Sequence, residues 1–93
     1  MNKEQRAQML FDALNDKTSA EGLDLVDVEV KGQTHNPIVV VYLDTPDADT
    51  GIGIDALTAA NKWIALTLDD LISTRYTLEV SSPGGRAKRS TDN

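Results

Sequence analysis

Apolar residues recur along this chain in two periods, and the alternation between them outlines the elements. Ala7, Leu10, Phe11 and Leu14 stand at i, i+3, i+4 and i+7, one face of a helix predicted over residues 3–20. Asn2 is placed to cap it, with Gln5 three residues on as the reciprocal partner and Gly22 as the stop. From Leu23 to Lys31 the period changes to two: Val26, Val28 and Val30 alternate with Asp27, Glu29 and Lys31, the pattern of a half-buried strand. Leu23 and Leu25 have the opposite parity, which predicts a bulge near Leu25-Val26. After a polar turn, Ile38 to Leu43 is apolar at every position and reads as a second strand. A loop from Asp44 to Gly53 leads to a second helix over residues 54–72, with Leu57, Ala60, Ile64, Leu68 and Leu71 as its buried stripe. Tyr76, Leu78 and Val80 then alternate with Thr77, Glu79 and Ser81 in a third strand, closed by Pro83-Gly84-Gly85.

The order helix-strand-strand-helix-strand predicts an α+β fold of two layers, two helices on one face of a three-stranded sheet. The expected strand order is 2-1-3, wholly antiparallel, with the third strand beside the first. Residues 1–84 then form the domain, and residues 85–93 a flexible basic tail without apolar period. In the 2-1-3 order, Asp27 and Glu29 neighbour Glu79 on the open face and make an acidic stripe. The same order leaves the second strand at an edge. Val39, Val40, Val41 and Tyr42 are then candidates for a partner surface or for weak self-association through residues 38–43.

Composition narrows the functional classes. The chain has 93 residues, enough for one small domain, and no cysteine, which removes disulfides and thiolate chemistry. The longest apolar run is six residues, far from the ~20 that span a membrane. The charged N-terminal stretch does not read as a secretory signal, so a cytoplasmic protein is expected. Net charge is −6 and unevenly spread: residues 1–81 hold six basic against fourteen acidic residues, whereas residues 82–93 hold Arg86, Lys88 and Arg89 against Asp92. An acidic body repels a phosphate backbone and favours a basic protein partner. The three tail cations are candidate RNA contacts, too few to anchor RNA alone.

Catalytic chemistry finds little support. His35 is the only histidine and lies in a polar turn, and Ser81-Ser82 lacks the glycine elbow of a nucleophile. Asp44, Asp47, Asp49 and Asp55 have a spacing reminiscent of a calcium loop, but Pro46 interrupts it and no glutamate closes it, so a solvated acidic loop is expected. Gly51-Ile52-Gly53 lacks the third glycine of a dinucleotide fingerprint, and the nearby aspartates would repel phosphate. No cofactor, no metal and no enzymatic activity are expected. Trp63 sits one position off the main stripe of its helix and is read as a flank residue packed on the first helix.

Two strand segments carry a resemblance. Gly22-Leu23-Asp24-Leu25-Val26-Asp27-Val28-Glu29 and Tyr76-Thr77-Leu78-Glu79-Val80-Ser81-Ser82-Pro83-Gly84 resemble the N-terminal domain of the bacterial ribosome maturation factor RimP family. Gly51-Ile52-Gly53-Ile54-Asp55 is similar to that family's glycine-plus-aliphatic lead into its second helix, and the resemblance extends over residues 4–84. It implies the same element order and a non-catalytic assembly factor that binds the small ribosomal subunit during its maturation. It also implies a following Sm-like β-barrel, which residues 85–93 do not supply. Where the family continues with an aliphatic residue, an acid and Arg-Pro-Leu, this sequence reads Gly85-Arg86-Ala87-Lys88-Arg89. The leading expectation is therefore a module that reaches the small subunit through a basic ribosomal protein. The rivals are direct RNA binding and an acidic interaction domain with no ribosomal role.

Overall fold

A computed structural model describes residues 1–47 and 51–91. Helix α1 (Lys3–Ala20) begins at Asn2, whose side chain accepts from the Gln5 N–H at 2.8 Å while the Gln5 side chain accepts from the Asn2 N–H at 2.9 Å. Both halves of the capping box are thus formed, satisfying two donors that a bare helix start leaves open. Ala7, Leu10, Phe11, Leu14 and Thr18 are its buried face. Thr18 is the polar member of that set and spends its hydroxyl on the Leu14 carbonyl at 2.7 Å. Gly22, at φ 75°, turns the chain out of the helix in a conformation that a side chain would strain.

Strands β1 (Asp24–Gln33) and β2 (Asn36–Asp44) form an antiparallel hairpin whose register slips between Leu25 and Asp27. The bulge lies where the parity break predicts it, with Val26 as the extra residue. Helix α2 (Ile54–Leu71) follows, and strand β3 (Thr77–Ser81) returns parallel to β2. The fold is α+β, two helices and a three-stranded mixed sheet in the predicted element order.

The strand order is β1-β2-β3, which corrects the expected 2-1-3 arrangement. Chain direction permits β3 on either side of the hairpin. Placing it against β2 puts the continuous apolar strand at the centre of the sheet, where both its edges are paired and only Ile38 and Tyr42 stay half-buried on the face away from the helices. Pro37, which has no N–H to give, lies just before the residues that pair with β3. The edge-strand expectation falls with this order. Val39 and Val41 are fully buried and Val40 is 2% exposed, so these three valines are structural and offer no free edge for self-association.

Leu10, Phe11, Leu14, Leu25, Val28, Val39, Val41, Leu43, Ile64 and Leu68 make one cluster between helices and sheet. Leu71, expected in the α2 stripe, is instead 41% exposed at the helix end. Trp63 is half-buried against the cluster and lines a shallow cleft of about 450 Å³ with Ala13 and Lys17 of α1. At the far end of α2, the Tyr76 hydroxyl donates to Asp69 Oδ1 at 2.7 Å, with the Ala65 carbonyl at 3.1 Å. Burial, reinforced by the Asp69 carboxylate, pushes this phenol up to about 12. Among the described residues no helix is long and apolar enough to cross a membrane.

Candidate functional site on the open sheet face

The face of the sheet away from the helices is set by register. Asp27 pairs with Tyr42 and Tyr42 with Ser81; Glu29 pairs with Val40 and Val40 with Glu79. Asp27 and Glu29 therefore share the β1 side, whereas Glu79 lies two strands away, about 9–10 Å across the sheet. The continuous stripe expected from 2-1-3 order is thus split by β2, and this is a direct consequence of the corrected topology.

On the β1 side, Asp27 is the centre of a cluster. Its Oδ2 accepts from Arg86 Nε at 3.0 Å, and its Oδ1 accepts from Arg89 Nε at 2.7 Å and from the Val28 N–H at 2.8 Å. Residues 86–90 thus lie back against β1 and the start of α1 after two glycines at positive φ, Gly84 and Gly85. The Arg86 guanidinium carbon lies 4.2 Å above the centre of the Tyr42 ring, and its Nη2 is 3.9 Å from Glu29 Oε2. The Tyr42 hydroxyl in turn donates to Glu29 Oε1 at 3.2 Å.

Arg89 reaches further, to the first turns of α1. Its Nη1 donates to Glu4 Oε1 and to Gln8 Oε1, the latter at 3.1 Å, and its Nη2 donates to the Val28 carbonyl at 3.3 Å. Its backbone N–H donates to the Val26 carbonyl at 2.7 Å. That carbonyl belongs to the bulged residue, which has no partner in the β1–β2 register, so the bulge presents an acceptor to the returning segment. Gln8 completes the attachment by donating to the Ser90 carbonyl at 2.9 Å.

The electrostatics follow this geometry. Burial alone would raise the Asp27 carboxyl, but the hydrogen bonds from Arg89 and Arg86 outweigh it and hold the group below the usual carboxylate range. The hydrogen bond from Arg89 lowers Glu4 in the same way. Partial burial raises the Tyr42 phenol, with Glu29 adding to the effect and Arg86 opposing it. Arg86 and Arg89 are both raised, chiefly by Asp27 and Glu4 respectively, and remain charged at any ordinary pH. Of the candidate tail cations, Arg86 and Arg89 face carboxylates of the body, and Lys88 is exposed. Glu4 and Gln8 belong to this cluster although no periodic signal in the sequence marks them.

The acidic loop reads differently. The Thr45 N–H donates to Asp44 Oδ1 at 2.8 Å and the Thr45 hydroxyl to the Asp47 carbonyl at 2.7 Å, which folds the loop start upon itself. Asp49 lies outside the described residues. Among those described, no three His, Cys, Asp or Glu side chains are grouped to hold a metal ion. His35 is exposed at the tip of the β1–β2 hairpin.

The architecture is that of a small mixed-sheet domain with one apolar face under two helices and one polar face carrying aromatic, acidic and guanidinium groups. The family model for the RimP N-terminal domain matches residues 13–86, most of the chain. The chain belongs to the RimP N-terminal domain family, and the resemblance read from the strand segments holds.

Proposed function

We propose that this domain is a non-catalytic assembly module that binds the small ribosomal subunit during its maturation, through a basic ribosomal protein. A role in ribosome maturation goes with the family, and with it a cytoplasmic place of work. The observation that supports the finer reading is the open sheet face: Asp27, Glu29 and the Tyr42 ring accept arginine side chains in this very chain. Ribosomal proteins are rich in arginine and lysine because they neutralise RNA phosphates, so a face built to hold guanidinium groups is chemically suited to them. Glu79, across β2 on the same face, extends the acidic surface a partner would meet.

Co-sedimentation with small subunits at low and high salt tests this. The chain is expected to sediment with the subunit at low salt, and Asp27→Lys with Glu29→Lys to lose most of that association while remaining folded. Unchanged sedimentation of the charge-reversed chain would overturn the assignment of this face. Loss of binding on removal of the basic protein, with rRNA intact, is the further result expected. Binding to naked rRNA of equal strength would favour direct RNA recognition instead.

A further inference from the structure

We infer that the β1 side of the open sheet face is a receptor for an arginine-bearing segment of a protein partner, and that residues 86–89 occupy it in cis and mask it. This rests on the reading that the domain docks a basic protein, and it specifies both the chemistry recognised and its control.

The site is more than a group of acids. Three kinds of acceptor converge from β1 and β2, and each is used by an arginine. Asp27 offers one carboxylate oxygen to each of two guanidinium groups, at 3.0 and 2.7 Å. Tyr42 offers a ring face, with Arg86 stacked 4.2 Å above it. The bulge offers main-chain carbonyls, that of Val26 to the Arg89 N–H at 2.7 Å and that of Val28 to Arg89 Nη2 at 3.3 Å. A lysine ammonium has no planar fork with which to meet a carboxylate through Nε, stack on a ring and reach a carbonyl at once, so the site selects arginine over lysine. The occupied spacing is Arg-x-x-Arg, and the intervening Lys88 is exposed.

The occupant is attached in a way that allows release. Gly84 and Gly85, at φ 56° and 88°, stand between β3 and Arg86 as a pair of unhindered hinges, and an added Cβ at either would meet nothing within 4 Å. The contacts made by the segment are polar apart from the Arg86–Tyr42 stacking; Arg86 lies at the surface and Arg89 is partly buried beside Asp27. A short flexible tether gives such a segment an effective concentration on the order of millimolar. An isolated peptide must compete against that, whereas a folded partner that adds contacts elsewhere can displace it. Binding of the partner and detachment of residues 86–89 are therefore coupled, each opposing the other.

The test uses the full chain and a fluorescein-labelled peptide with the sequence of residues 84–91, read by anisotropy. Arg86→Gln with Arg89→Gln empties the site, and this chain is expected to bind the peptide at least tenfold more tightly than the unsubstituted chain. Adding Asp27→Asn should return binding to background, and a peptide with lysine at both arginine positions should bind at least tenfold more weakly. Equal binding by the substituted and unsubstituted chains, or by the arginine and lysine peptides, overturns the inference. If the substituted chain does not fold by circular dichroism, the unsubstituted chain is titrated with millimolar peptide while the Arg89 Nε–H signal is followed by NMR. A shift with the arginine peptide alone supports the inference, and no shift overturns it. Small-subunit co-sedimentation separates the two readings. Equal sedimentation of both chains keeps the ribosomal role and removes the masking; peptide binding without sedimentation of either chain keeps the receptor and removes the ribosomal role.

Discussion

The two faces of the sheet are built from the same strands and held by different physics. Toward the helices, Val28, Val39, Val41 and Leu43 are fully buried against Leu10, Phe11 and Leu14. Their contribution scales with apolar area and has no preferred direction. On the other face, one residue away along each strand, Asp27, Glu29 and Tyr42 contribute through distance and angle to two arginines. The first face supplies stability and tolerates little change of volume. The second contributes less to stability and can exchange its occupant, which is what a recognition surface requires.

The largest expected difference is between core truncation and loss of the central carboxylate. Phe11→Ala should cost about 3–5 kcal/mol, as for other buried aromatics. Against a total of roughly 5–15 kcal/mol for a domain, that is enough to unfold a substantial fraction of the chain. Asp27→Asn should cost about 1.5–3 kcal/mol, the range for hydrogen bonds to charged groups, leaving the cooperative transition in place. Urea unfolding followed by circular dichroism measures both. If Asp27→Asn proves as costly as Phe11→Ala, the polar face is part of the core in energetic terms and the contrast fails.

Acid should divide the faces next. Asp27 and Glu4 are both held below the usual carboxylate range by Arg89. A group depressed in the folded state contributes stability above its unfolded pKa, about 4, and loses it as pH falls through the folded value. The attachment of residues 86–90 should therefore be complete at neutral pH and weaken progressively below about pH 4. The apolar face carries no such group. Exchange of the Arg89 amide, which donates to Val26, should accelerate in acid relative to its intrinsic rate before the helical signal at 222 nm is lost. Coincident loss of both would show that the faces melt as one unit.

The same contrast explains what could be read from the chain. Period alone reveals α1, α2, the β1 alternation and the bulge at Leu25–Asp27, because each depends on residues within a few positions. The capping box of Asn2 and Gln5 is equally local. Strand order is not, since the direction of β3 allows either neighbour. The available signal is the unbroken run Ile38–Leu43, which suits a central strand paired along both edges better than an exposed edge. The cluster on the open face joins Glu4, Asp27 and Arg89, positions far apart in sequence, and no periodicity connects them. Charge asymmetry between the body and residues 82–93 is legible, but a segment without apolar period reads as a flexible tail, and nothing local to it names Asp27 and Glu4 as the carboxylates its arginines meet.

The smallest effect expected is at Tyr42, and it isolates the ring from the hydroxyl. The ring lies beneath Arg86, while the hydroxyl donates to Glu29 at 3.2 Å. Tyr42→Phe keeps the cation–π contact and removes a half-exposed hydrogen bond, so it should cost only a few tenths of a kcal/mol, below the ~1 kcal/mol typical of a buried one. Tyr42→Leu keeps apolar bulk and removes the π face, and should cost about 0.5–1 kcal/mol more than Tyr42→Phe. Raising salt should shrink the Glu29–Arg86 contribution, since both side chains are more than a third exposed, and leave the ring contribution less affected. A double-mutant cycle of Tyr42→Leu with Arg86→Gln, measured by urea unfolding at low and high salt, extracts the pairwise part. A coupling energy indistinguishable from zero at both salt concentrations would mean that Arg86 rests over the ring without being held by it. Arg86 would then be held by its carboxylate partners, Asp27 and Glu29, without the ring.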